Sequence, residues 1–209
     1  MGVSFNIYYG CYLLINGVVF LIFHGVVLAS IYLFRIEAFL VTPAFITIAV
    51  FFILMMPGYL LYASVLSFIF DKTEAAMEFF TSLTSILTMA SFSIVAVIDM
   101  IYQGDSGTIL HYMFTILLPL YMPPGIFYYI NKIYVTCSLK HDCSSLTTSS
   151  YMTHQIIIMF VMAVINIPLY YMFMRILDNM KNGGSIRSAI FMEVSYYIVS
   201  SCYFEKYLI

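Results

Sequence analysis

The sequence predicts an all-α membrane protein: a polytopic helical bundle of four transmembrane helices plus a re-entrant exoplasmic helical hairpin. Three observations predict it. Of 209 residues, 63% are hydrophobic and only 9% are charged, against about 25% charged in an average soluble domain. Mean hydropathy is +1.00. The apolar residues also cluster in runs long enough to cross a bilayer, whose ~30 Å core takes about 20 residues at ~1.5 Å each. So little polar surface cannot cover a soluble core of this size. High hydrophobicity excludes a disordered tail protein. The net charge of −2 carries no block of like charges, which argues against a nucleic-acid surface.

The elements follow in chain order. The first span is expected at 11–34, free of formal charge and interrupted by Asn16, Gly17, His24, Gly25 and Ser30. Small and polar residues of this kind suit helix–helix contacts; alternatively, His24 is a pathway or proton-relay group. Arg35 and Glu37 mark an interface. The second span, 44–70, carries Pro57-Gly58 near its middle. Proline removes an N–H and clashes one turn back, so a kink is expected there, and with it a candidate hinge.

A charged turn follows, Asp71-Lys72-Thr73-Glu74 with Glu78 beyond it; its plain reading is a solvated turn, and as the only charged inner loop between spans it is the candidate for a cytosolic contact. The third span, 77–98, is dense in Ser and Thr, whose hydroxyls can bond their own helix carbonyls. That density suggests a helix facing other helices or a polar cavity. Asp99 closes it.

Residues 109–130 are apolar but broken by Pro119, Pro123, Pro124 and Gly125. One straight helix cannot carry Pro123-Pro124-Gly125 at its centre, and each half is too short to span. Two short helices meeting at these residues, a re-entrant hairpin buried in protein, fit better. A polar loop at 132–153 leads to the last span, 154–176. The tail, 186–209, is apolar and Tyr-rich but carries Arg187, Glu193, Glu205 and Lys206. It reads as interfacial or as a poor fifth span.

With a re-entrant hairpin, Lys72, Arg175, Lys181 and Arg187 share one side of the membrane, and Arg35, Lys132 and Lys140 the other. The positive-inside rule puts the first set, and the N-terminus, in the cytosol. Of the four cysteines, Cys137 and Cys143 then lie outside, as a disulfide or as two thiols. There is no tryptophan, so tyrosines such as Tyr8, Tyr32 and Tyr128 take the interfacial positions. The N-terminus lacks both a basic signal-peptide region and the Ser/Thr at position 6 of a myristoylation signal. The location is an integral, multi-pass one, in the plasma membrane or an organelle membrane.

Nothing reads as an enzyme. No phosphate-binding G-x-x-x-x-G-K-[ST] occurs, and Asn182-Gly183-Gly184-Ser185 is a helix stop. Lys140-His141-Asp142-Cys143 offers too few ligands for a metal. His24, His111, His141 and His154 have no diagnostic context, and no nucleophile–base pair can be singled out.

The order of features carries a resemblance. A Met1-Gly2-Val3 start leads through Tyr8-Tyr9 into a span. The turn Ser67-Phe68-Ile69-Phe70-Asp71-Lys72-Thr73-Glu74-Ala75-Ala76 precedes a Ser/Thr-rich span, and a Pro119-to-Gly125 break precedes a polar outer loop. Over residues 1–185 this resembles part of the transmembrane domain of subfamily A of the ATP-binding-cassette (ABC) transporters, the lipid-exporter group. The resemblance implies the third to sixth helices of a six-helix domain. It also implies lipid as substrate, and as partners the bilayer, the remaining transmembrane helices and a nucleotide-binding domain. ATP and Mg would bind that domain, with no cofactor in this chain and no nucleic acid. The chain would be a half-domain or fragment, departing from the family after Ser185. The alternatives are a divergent multi-span receptor of the chemosensory type and a membrane scaffold. Residues 109–130 discriminate: full crossing favours the receptor, re-entry the transporter.

Overall fold

The computed structural model describes residues 5–68, 73–102, 105–139, 147–181 and Gly183. The described residues form helices throughout: α1 (Phe5–Leu33), α2 (Glu37–Leu40), α3 (Thr42–Ser67), α4 (Thr73–Tyr102), α5 (Asp105–Leu117), a 3₁₀ turn (Pro119–Tyr121), α6 (Met122–Leu139), α7 (Thr148–Tyr151) and α8 (His154–Lys181). Four are long and apolar enough to cross a membrane: Ile7–Leu33, Thr42–Ser67, Thr81–Ile101 and His154–Lys181. The protein is an integral membrane helical bundle.

Helix α3 is the axis. One face packs on α1 and another on α8, with α6 and the short α2 and α7 closing one end. Its Ala44, Ile48, Phe51 and Met55 are almost wholly buried, against Met122, Ile126 and Ile130 of α6 and Ile156, Met159 and Ala163 of α8. A smaller cluster, Leu61, Tyr170 and Met174, holds α3 to α8 at the other end. Helix α1 leaves Leu14, Ile15, Val18 and Ile22 exposed, the surface a lipid-facing helix needs. Within the helices, Ser30, Thr47, Ser64 and Ser91 donate to carbonyls one turn back, which satisfies their hydroxyls without water.

Pro57 lies inside an unbroken α3. Gly58 serves the α3–α8 seam: a Cβ there would stand 3.2 Å from Asn166 Cβ and 3.4 Å from the Ala163 carbonyl. The connection after α1 reverses at Arg35, whose φ is 49°. Ile36 N–H donates to the Ile31 carbonyl and Arg35 N–H to that of Tyr32. This is a Schellman cap, with arginine where glycine is usual.

Three sequence expectations shift. Helix α4 starts at Thr73 and runs to Tyr102. Glu74 and Glu78 therefore sit in its first turns rather than in a loop, and Asp99 lies within the helix rather than past its end. Thr-Glu-Ala-Ala-Met-Glu is rich in helix formers, and acids suit a helix N-terminus. The hairpin is longer than 109–130, running from Asp105 to Leu139. Its break falls at 118–121 rather than at Pro123-Pro124-Gly125. Leu118 is extended (φ −128°, ψ 96°), as a residue before proline prefers. Pro123 and Pro124 then fall in the first turn of α6, where a missing N–H leaves no bond unmade. Asp71, Lys72, Cys143, the Cys137–Cys143 pairing and the tail 186–209 lie outside the described residues.

Candidate functional site

Two features stand out in this apolar bundle, a polar cluster at the open end of the hairpin and a cavity at its tip. The first centres on Asp99, 7% exposed on α4. Its Oδ2 accepts from the Tyr128 hydroxyl and from Lys132 Nζ, each at 2.6 Å, both on α6. Lys132 itself is half exposed. Helix α5 begins against the same carboxylate: a Cβ on Gly107 would lie 2.8 Å from Asp99 Cα and Cβ. Both contacts are to the stiff base of the residue, so the helices would have to separate. Gly107→Ala is therefore expected to destabilise the hairpin by about 1–3 kcal/mol, read as a lower melting temperature of the purified protein in detergent.

One turn deeper, His111 of α5 is fully buried. Its Nε2 lies 2.9 Å from the Gln155 carbonyl of α8 and its Nδ1 2.8 Å from the Tyr121 hydroxyl. A carbonyl can only accept, so Nε2 carries the proton and Nδ1 accepts from Tyr121. The imidazole also lies tilted against the Tyr129 ring, with centroids 4.3 Å apart. Histidine and carboxylate together tie the hairpin to α4 and α8.

The second feature is a cavity of about 600 Å³ at the hairpin tip. Leu120, Pro123 and Pro124 of the tip line it, together with Asn16, Phe20 and His24 of α1, Met55 and Tyr59 of α3, and Thr84, Ser85 and Thr88 of α4. These positions are near the middle of the long helices. Val19, Phe23 and Met89 on its rim are exposed, so the cavity opens sideways between α1 and α4. Its described lining carries no formal charge.

Several residues singled out in the sequence meet here. Pro119 is buried in the 3₁₀ turn, Pro123 and Pro124 line the cavity, and Gly125 is buried where a Cβ would stand 3.2 Å from Met159 and Tyr121. His24, named as a contact or pathway residue, lines the cavity. The Ser/Thr density of α4 divides: Thr84, Ser85 and Thr88 face the cavity, Ser91 is buried and Thr81 is exposed. Pro57 and Gly58 lie outside the cavity lining, as does Glu78, which is exposed on α4. The clamp of Asp99, Tyr128 and Lys132 was not anticipated. Asp99 read as a span end and Lys132 as a loop charge, although the topology already put Lys132 on the outer side where the third span ends. Among the described residues, no three His, Cys, Asp or Glu side chains are grouped to hold a metal.

No family model matches the chain, and neither a curated protein nor a solved structure matches it.

Proposed function

We propose that the chain is a membrane-spanning part of a lipid transporter, similar to the ABC subfamily A transmembrane domain. It would line the translocation path, with ATP hydrolysed by a nucleotide-binding domain outside this chain. The carrying observation is the hairpin whose tip ends at a laterally open cavity. Helix α5 has 13 residues, about 20 Å, too short to cross the hydrocarbon core. Gly107 and Lys132, on its two arms, both lie against Asp99 at one end of α4, while its tip shares a cavity with Thr84–Thr88. Two arms that meet the same end of α4 support the re-entrant reading, and that reading favours the transporter over the receptor. Irregular backbone at Pro119–Tyr121 is tolerable at that depth because protein buries it.

Two measurements test this. Single cysteines at Ser106, Ser138 and Gly183 in sealed membranes are expected to label in one pattern: the first two from outside, the third only from inside. Labelling of Ser106 and Ser138 from opposite sides would mean a crossing segment and the receptor-like reading. Vesicles containing the chain with its native partners are expected to move fluorescent lipid between leaflets in an ATP-dependent way. Ser85→Trp, filling the cavity, is expected to abolish that movement. Transport without ATP, or transport indifferent to Ser85→Trp, would overturn the proposal.

A further inference from the structure

The cavity lining carries information about head-group chemistry. His24 Nδ1 lies 2.8 Å from the Phe20 carbonyl of its own helix. A carbonyl only accepts, so Nδ1 carries the ring proton and leaves Nε2 as an acceptor. The ring is held between Phe20, stacked at 3.9 Å, and Phe52 at 4.3 Å. Asn16 Nδ2 donates to the Tyr12 carbonyl at 2.9 Å, which leaves Oδ1 as a second acceptor. On the facing helix, Ser85 and Thr88 supply hydroxyls that can donate or accept.

What the lining lacks is a cation. Among its described residues there is no Lys or Arg. A phosphodiester brought from water into such a cavity would lose its hydration with no charge to replace it, a cost far above that of a neutral group. A hydroxyl is the converse: one donor, satisfied by a lone acceptor, and lone pairs that a serine or threonine can meet. The volume of about 600 Å³ is that of a site for a small molecule. It does not enclose two long acyl chains, but the exposed rim of Val19, Phe23 and Met89 lets chains leave into the bilayer.

We propose that the cavity takes an uncharged acylglycerol of the diacylglycerol type, whose free hydroxyl donates to His24 while Ser85 or Thr88 donates back and the acyl chains trail between α1 and α4. The inference rests on the transport reading above and names the class of lipid that the path selects.

The test is photocrosslinking in membranes containing the full chain. Three probes carry the same photoreactive group: a diacylglycerol, a phosphatidylcholine and a sterol. Labelled peptides are mapped. The diacylglycerol is expected to label α1 and α4 peptides around Asn16–His24 and Thr84–Met89, and phosphatidylcholine several-fold less. His24→Phe keeps the aromatic stack and removes the acceptor. It is expected to reduce diacylglycerol labelling about fivefold, the worth of one ordinary hydrogen bond. His24→Gln, which restores an acceptor, is expected to recover part of it. Elution of both variants as the same monodisperse species as the parent excludes misfolding as the cause. Equal or stronger labelling by phosphatidylcholine, or labelling indifferent to His24→Phe, overturns the head-group assignment while leaving a lipid path intact. Labelling by the sterol alone overturns the acylglycerol. If no lipid probe labels these peptides, the cavity is not a lipid site and the transport reading falls with it.

Discussion

Lys132→Met is expected to lower the stability of the protein by about 1–3 kcal/mol. Asp99 keeps its charge in this variant, and at 7% exposure it has little water to turn to. Removing one partner of a fully buried pair costs about 3–5 kcal/mol, because the other charge is left unpaired. Lys132 is half exposed, so part of that figure is screened away. The Tyr128 hydroxyl, 2.6 Å from the same oxygen, softens the loss further. The double variant Asp99→Asn/Lys132→Met tests whether charge is the cause. Asparagine can still accept from Tyr128 and needs no cation, so most of the lost stability should return. Unfolding midpoints in mixed micelles for the two singles and the double give the coupling directly. A Lys132→Met protein as stable as the parent, or a double variant no better than the single, would mean that the ion pair does not pin α6 to α4.

His111→Ala is expected to be costlier still, at about 2–5 kcal/mol. The imidazole is fully buried, and both of its nitrogens are engaged across chain separations that no helix provides. Its removal leaves a cavity beside Tyr129, strands the Tyr121 hydroxyl without its partner and removes the bond to the Gln155 carbonyl. Tyr121→Phe separates the contributions. It keeps the ring packing and loses one hydrogen bond, leaving His111 Nδ1 unpaired, for about 1–3 kcal/mol. The order Ala worse than Phe, with both below the parent in the same unfolding assay, is the expected result. If Tyr121→Phe matched His111→Ala, the hydrogen bond rather than the packing would dominate. If neither variant moved the midpoint, the hairpin would not be held to α8 through His111.

These two positions also show where sequence reading reached its limit. His111 has no neighbouring motif, and its partners lie 10 and 44 residues away along the chain. Asp99 and Lys132 were each visible as charges at the edges of apolar runs, but 33 residues separate them. Pairing them required knowing that α6 folds back beside the end of α4. The hairpin itself was legible, since four prolines and glycines inside an apolar run cannot be one straight helix. The exact break was not, because Pro119 and Pro123-Pro124 are each compatible with a turn. Which of them lies in the turn and which begins a helix depends on where Leu118 is extended and what buries the tip.

The sequence by itself determined the all-α class and the four long apolar helices, because in hydrocarbon every backbone polar group must be satisfied within its own segment. A run of apolar residues there has one solution, and that solution is local. Only the tertiary structure decided that Asp99 is paired, that His111 bridges two helices, and that His24 faces Ser85 and Thr88 across a cavity. Those facts depend on how helices far apart in the chain pack side by side, through contacts that periodicity and composition do not encode.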